Sequence, residues 1–142
     1  MADQAQINQI AEELIRLFRV QLPPVPIEAM LQHPLPGMWE EVDISQVSGS
    51  YLTIGSPYLP RMSLARVLAR HIAGSAWGTE RGLRTLLGDA PAISALARAV
   101  IMPRSMIEML APAALTAATV SDHFEVPLRE AAARLEELNS AP

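Results

Sequence analysis

Cysteine and lysine are both missing from this chain of 142 residues. Without cysteine there is no disulfide framework, no thiolate-ligated zinc and no cysteine nucleophile. Without lysine, all eleven basic residues are arginine, a bias that speaks of genome composition or temperature adaptation more than of mechanism. Long uncharged apolar runs are missing too. The longest charge-free stretch, 44–60, is full of Ser, Gly and Pro, and the next, 109–121, is too short to cross a bilayer, so no membrane span is expected. The first residues carry Asp3 and Glu12 without a basic segment leading into an apolar one. No secretory signal is read there, and a cytoplasmic location is the expectation. Nor does the chain hold a Gly-rich phosphate loop or a nucleophile elbow. Its three histidines, His33, His71 and His123, lack the i,i+4 spacing that sets two imidazoles on one helix face.

What is present suits a packed globule. Half of the residues are hydrophobic and 18% are charged, and the length fits one domain over 1–142. The net charge of -4 hides a pattern. Residues 1–60 hold two Arg against seven acids, residues 61–104 seven Arg against two acids, and residues 105–142 two Arg against six acids. A basic centre between acidic ends could bind an anion or nucleic acid, but internal neutralisation on folding is the favoured reading. The acidic balance of the whole chain weighs against direct nucleic-acid binding.

Periodicity predicts an amphipathic helix over 4–20, with Ile7, Ile10, Ala11, Leu14, Leu17 and Phe18 on one face. Pro26 opens a short second helix through Leu31. Residues 38–59, with Trp39, Val42, Ile44, Val47, Tyr51, Leu52, Ile54 and Tyr58, carry the only strand chemistry and predict a small antiparallel sheet of two or three strands. Helices follow at 63–76, capped by Ser63, and from Pro91 to Met102, with a turn through Met106 to Leu110. Two more follow near 113–123 and 127–138, the last facing inward with Leu128, Ala131, Leu135 and Leu138. The expected class is α+β, dominated by helices.

Two stretches carry more than pattern. RMSLARVLARHIAGS at 61–75 and PAISALARAVIMPRSMIEML at 91–110 resemble, in this order, the two motifs of the ImmA/IrrE family of small bacterial zinc metallopeptidases, which read approximately RFTLAHELGHLLLH and EANRFAAELLMPRELFREL. Arg61, Ser63, Leu64, Ala65, Leu68 and Ala69 track the first, and Ala95, Ala97, Val100, Ile101, Met102, Pro103 and Arg104 the second. Pro-Val-Pro-Ile-Glu-Ala-Met at 24–30 is similar to the family's proline-led second helix. His123-Phe124-Glu125-Val126, followed by Arg134-Leu135, is similar to its closing segment.

The family's chemistry, however, is gone from the matching positions. Arg66 and Arg70 stand where the two zinc-binding histidines are expected, Val67 where the general base is expected, and Ala92 where the third ligand is expected. A guanidinium stays protonated and has no lone pair for a metal, and valine cannot take a proton. The resemblance therefore implies a pseudo-peptidase with no metal and no cofactor, acting as a protein-interaction or regulatory module. Helix-turn-helix repressors, substrates of active relatives, are the natural partners. Arg66 and Arg70, with His71 beside them, could hold a carboxylate or phosphate of a partner in the former metal cleft. The plainer alternative pairs them with acids of this chain, such as Glu80, Glu108 or Asp122. His71 is read as a core or interface residue, because a shift of one position turns it about 100° away from the ligand face. Two other readings remain. One is a hydrolase with a relocated site built from Glu40, Glu41, Asp43 and His71. The other reads 113–138 as a DNA-binding helix pair, but Glu130, Glu136 and Glu137 would repel phosphate. Self-association through methionines, the alanine-rich run near 111–118 and Trp77 is a further possibility.

Overall fold

The computed structural model describes residues 3–43 and 58–140. Helix α1 (Gln4–Leu17) starts where the Asp3 carboxylate accepts the amide of Gln6 at 2.8 Å, and it buries Ile7, Ile10, Ala11, Leu14 and Ile15 at helical spacing. It ends earlier than the prolines require. Arg19 takes a left-handed backbone (φ 58°), and Phe18 turns to stack on Trp39 with ring centroids 6.0 Å apart. Helix α2 (Ile27–Gln32) buries Ile27, Met30 and Leu31.

The expected antiparallel sheet is not found: the described residues contain no strand. Residues 38–43 show why strand-type residue chemistry misled there. Trp39 Nε1 donates to the Leu31 carbonyl at 3.4 Å, and the Val42 amide donates to the same oxygen at 3.1 Å. The segment thus satisfies the carboxyl end of α2 instead of a neighbouring strand. Tyr58 and Leu59 enter a helix, and the remaining residues, 44–57, lie outside the described residues.

Helix α3 (Leu59–Gly74) begins four residues before Ser63, with Pro60 in its first turn, so Ser63 is an interior residue and not a cap. Its buried face holds Met62, Leu64, Ala65, Leu68, Ala69, Ile72 and Ala73. Ser75 then ends α3 and starts α4 (Ala76–Glu80): its hydroxyl donates to Ile72 O at 2.8 Å and accepts from Gly78 N at 3.0 Å. A Cβ on Gly78 would stand 1.9 Å from the Ile72 carbonyl oxygen, so this tight junction requires glycine. A 3₁₀ turn (Leu83–Gly88) leads into α5 (Ala90–Ile101), where Asp89 accepts the Ala92 amide at 3.1 Å. Helix α6 (Arg104–Glu108) follows Pro103.

The alanine-rich run forms a 3₁₀ turn at Pro112–Ala114, and α7 (Ala117–Phe124) starts only at the Thr116 cap. Helix α8 (Leu128–Ser140) closes the described chain. The central pair is α3 against α5, with α1 on α5 and with α2 and the first 3₁₀ turn on α3. Helices α7 and α8 pack as a pair, and α8 also lies on α5. Trp77 is buried beneath the Arg81 guanidinium, 3.8 Å from the ring centroid, so it offers no self-association surface. Among the described methionines, Met30, Met62, Met102 and Met106 are core. No helix of the described residues is long and apolar enough to cross a membrane.

Candidate functional site

Helix α3 carries Arg66, Val67, Arg70 and His71, and its neighbour α5 carries Ala92. The two arginines, one turn apart, have different fates. Arg66 reaches α8, where its Nη2 meets Glu130 Oε2 at 2.7 Å. The other oxygen of Glu130 accepts from Arg98 Nη1 of α5 at 3.2 Å. Arg98 also grips Glu137, with Nε at 3.1 Å and Nη2 at 2.6 Å from its Oε2. The Glu130 side chain is 6% exposed, and each of its oxygens has a guanidinium of its own, the arrangement a buried carboxylate needs to offset its lost hydration. Burial works against the Arg98 charge, but the hydrogen bonds and charges of Glu137 and Glu130 outweigh it and hold its pKa above the ordinary arginine value.

The series ends at Arg134 of α8, which is fully buried. Its Nε donates to Met102 O at 2.9 Å, but Nη1 and Nη2 have no hydrogen-bond partner, and Glu137 Oε1 lies 3.9 Å from Nη1. Burial pushes its pKa down to about 10, with Glu137 and Glu12 opposing that fall. Arg66, Glu130, Arg98, Glu137 and Arg134 thus form a seam of alternating sign that joins α3, α5 and α8.

Arg70 takes no part in it. It is exposed and makes no ion pair among the described residues. With Met38, Trp39, Glu40, His71 and Ser75 it lines a shallow depression of about 410 Å³. His71 is half-buried there, and desolvation holds its pKa below the ordinary histidine value, which favours the neutral imidazole. Val67 and Ala92 are partly buried and pack on the core.

The acids first considered as partners of this pair are committed elsewhere. Glu80 lies 3.8 Å from Arg81, Glu108 3.4 Å from Arg104, and Asp122 accepts from the Tyr58 hydroxyl at 3.4 Å. The partner of Arg66 is Glu130, an acid that the sequence reading weighed only against DNA binding and not as a partner of this pair. Of the inward face expected for α8, Ala131 is buried and Leu135 and Leu138 pack on the core, whereas Leu128 is exposed, and the face also takes in the buried Glu130 and Arg134. Glu130, Arg134 and Glu137 stand at i, i+4 and i+7, a stripe of alternating charge on one helix face that was the available signal.

The basic centre is neutralised along much of its length. Besides the seam, Arg81 is held by Glu13, with Nε at 3.0 Å from Oε1, and Arg61 lies 3.4 Å from Glu28. Acids of both chain ends therefore meet arginines of the middle.

A zinc ion does not fit the residues at the motif positions. Two guanidiniums, a valine and an alanine supply no lone pair, and among the described residues no cluster of His, Asp or Glu could hold a metal ion. Of the residues proposed for a relocated hydrolase site, Glu40 and His71 share the depression, whereas Glu41 and Asp43 do not line it. Among the described residues, the one hydroxyl at its wall, that of Ser75, is tied to Ile72 O and Gly78 N.

No family model matches the chain, and no curated protein or solved structure matches it either. The likeness to the ImmA/IrrE family rests on its motifs.

Proposed function

We propose that the protein is a non-catalytic relative of the ImmA/IrrE metallopeptidases that works as a protein-interaction or regulatory module. The observation that carries this reading is the fate of Arg66. At the position of a zinc-binding imidazole stands a cation that is fastened to the buried Glu130 at 2.7 Å, and a metal ion beside it would be repelled. Arg70 is left as the exposed cation of the old cleft, with His71, Trp39 and Met38 beside it. The partner contact is a carboxylate or phosphate on a regulator, with a helix-turn-helix repressor as the leading candidate. Arg70 supplies the forked donor and the neighbouring rings and thioether the apolar wall.

Two measurements test it. Metal analysis with a peptide-cleavage assay is expected to give neither stoichiometric zinc nor turnover, and tightly bound zinc with cleavage overturns the reading. Affinity capture from the source cells, with wild type beside Arg70→Ala, is expected to retain a regulator on wild type alone. Equal retention by both removes Arg70 from the contact.

A further inference from the structure

Helix α8 is held to the body of the molecule by charge more than by apolar surface. Among its described side chains those of Glu130, Ala131 and Arg134 are buried, and only Ala131 is apolar. Leu135 and Leu138 touch the core while partly buried, and Leu128 is exposed. The rest of the docking is ionic: Arg66 of α3 and Arg98 of α5 share Glu130, and Arg98 also grips Glu137. Such pairs contribute little net stability once the lost hydration of both charges is counted. Arg134 adds a penalty. Its Nη1 and Nη2 are buried without a hydrogen-bond partner, and Glu137 Oε1 is still 3.9 Å from Nη1.

The helices beneath are built differently. Leu64, Leu68 and Ile72 of α3 and Ile93, Leu96 and Val100 of α5 are buried apolar side chains. An element that buries few apolar groups and an incompletely paired charge opens at a lower free energy than such a core. The corner before α8 is seated, because Arg61 donates to Phe124 O and Glu125 O at 3.2 Å each and Val126 is fully buried. Opening of α8 therefore starts at Pro127. It uncovers Arg66 and Arg98, two guanidiniums already spaced to take the two oxygens of one carboxylate, at 2.7 and 3.2 Å. Glu137, seven residues and two turns beyond Glu130, supplies the second acid of the same face.

We infer that α8 is an autoinhibitory helix that occupies, on Arg66 and Arg98, the docking site for an acidic helix of a partner protein. The inference rests on the reading of the chain as an interaction module and adds its regulation. The partner replaces Glu130 and Glu137 with two carboxylates at the same two-turn spacing, and its affinity is reduced by the fraction of chains in which α8 is closed.

The test uses the full chain. In native-state hydrogen exchange the amides of Arg134 and Leu135 should exchange at least tenfold faster than those of Leu68 and Leu96, through an opening that leaves α3 and α5 protected. A labelled synthetic peptide of residues 127–140, followed by fluorescence anisotropy, should bind the Glu130→Gln chain at least tenfold more tightly than wild type. That variant loosens the internal competitor and keeps both arginines. The same peptide carrying Glu130→Gln and Glu137→Gln should show no saturable binding. Exchange of the α8 amides only with the whole molecule overturns the inference, and this arm stands even if the variant chain fails to fold. Absence of peptide binding to the Glu130→Gln chain, or equal affinity for the two chains or of the two peptides, overturns it as well. A regulator retained through Arg70 by a chain whose α8 never opens separately leaves the preceding reading intact and removes this one, whereas bound zinc with cleavage removes both.

Discussion

Two regions of the molecule were built from the same residue type and came out opposite. In the seam between α3, α5 and α8, Arg66 and Arg98 share the two oxygens of Glu130, and every member lies largely out of water. In the depression a turn further along α3, Arg70 stands exposed beside Glu40 and His71. What separates them is the neighbouring element. Helix α8 brings a buried carboxylate to Arg66, and no described element brings one to Arg70. A guanidinium is thus structural or available according to what packs above it, and sequence position alone does not decide which.

The largest expected effect breaks the seam. Glu130→Ala leaves two partly buried guanidiniums facing each other, and urea unfolding should show a loss of about 3 kcal/mol. A loss below about 0.5 kcal/mol would mean that the seam is solvated and the contrast with Arg70 is false. The contrast is sharpened by the pair of single variants. Arg66→Ala should cost about 1 kcal/mol, because Arg98 still neutralises Glu130, whereas Arg70→Ala should change stability by less than about 0.5 kcal/mol. The smallest effect belongs to His71. Its folded-state pKa lies below the unfolded value, so the unfolded chain takes up the proton first. Stability should therefore fall as the pH drops below about 6.5. In a comparison of acid unfolding profiles, His71→Gln should remove that part of the slope.

The helices were legible where apolar spacing and an opening proline agreed, as at Pro26 and Pro91. The structure adds what the sequence reading did not use: Asp3, Asp89 and Thr116 cap α1, α5 and α7, and Pro60 stands in the first turn of α3. The reading erred where a residue could be satisfied in two ways. Trp39 and Val42 are residue types common in strands, but their donors are taken by Leu31 O. Ser63 has the chemistry of a cap, but Pro60 opens the helix almost a turn earlier. Of the site, Arg66, Arg70 and His71 were all placed on one helix in advance. Glu130 was missed because a buried carboxylate is invisible to hydrophobic patterning; only its partners on α3 and α5 bring it inside.

Arg61 gives the chain a different kind of unity. Its guanidinium donates to Val25 O at 3.1 Å, to Phe124 O and Glu125 O at 3.2 Å each, and to Glu28. The Glu125 carbonyl is presented from a left-handed residue (φ 57°) that closes α7. One side chain thereby ties the proline-led segment near the start of the chain to the α7–α8 corner, across sequence separations of 33 to 64 residues. Opening of either end should then be one event. In native-state hydrogen exchange, the amides of Ile27 and Val126, both hydrogen-bonded to backbone carbonyls, should share one opening free energy, and Arg61→Met should split it into two.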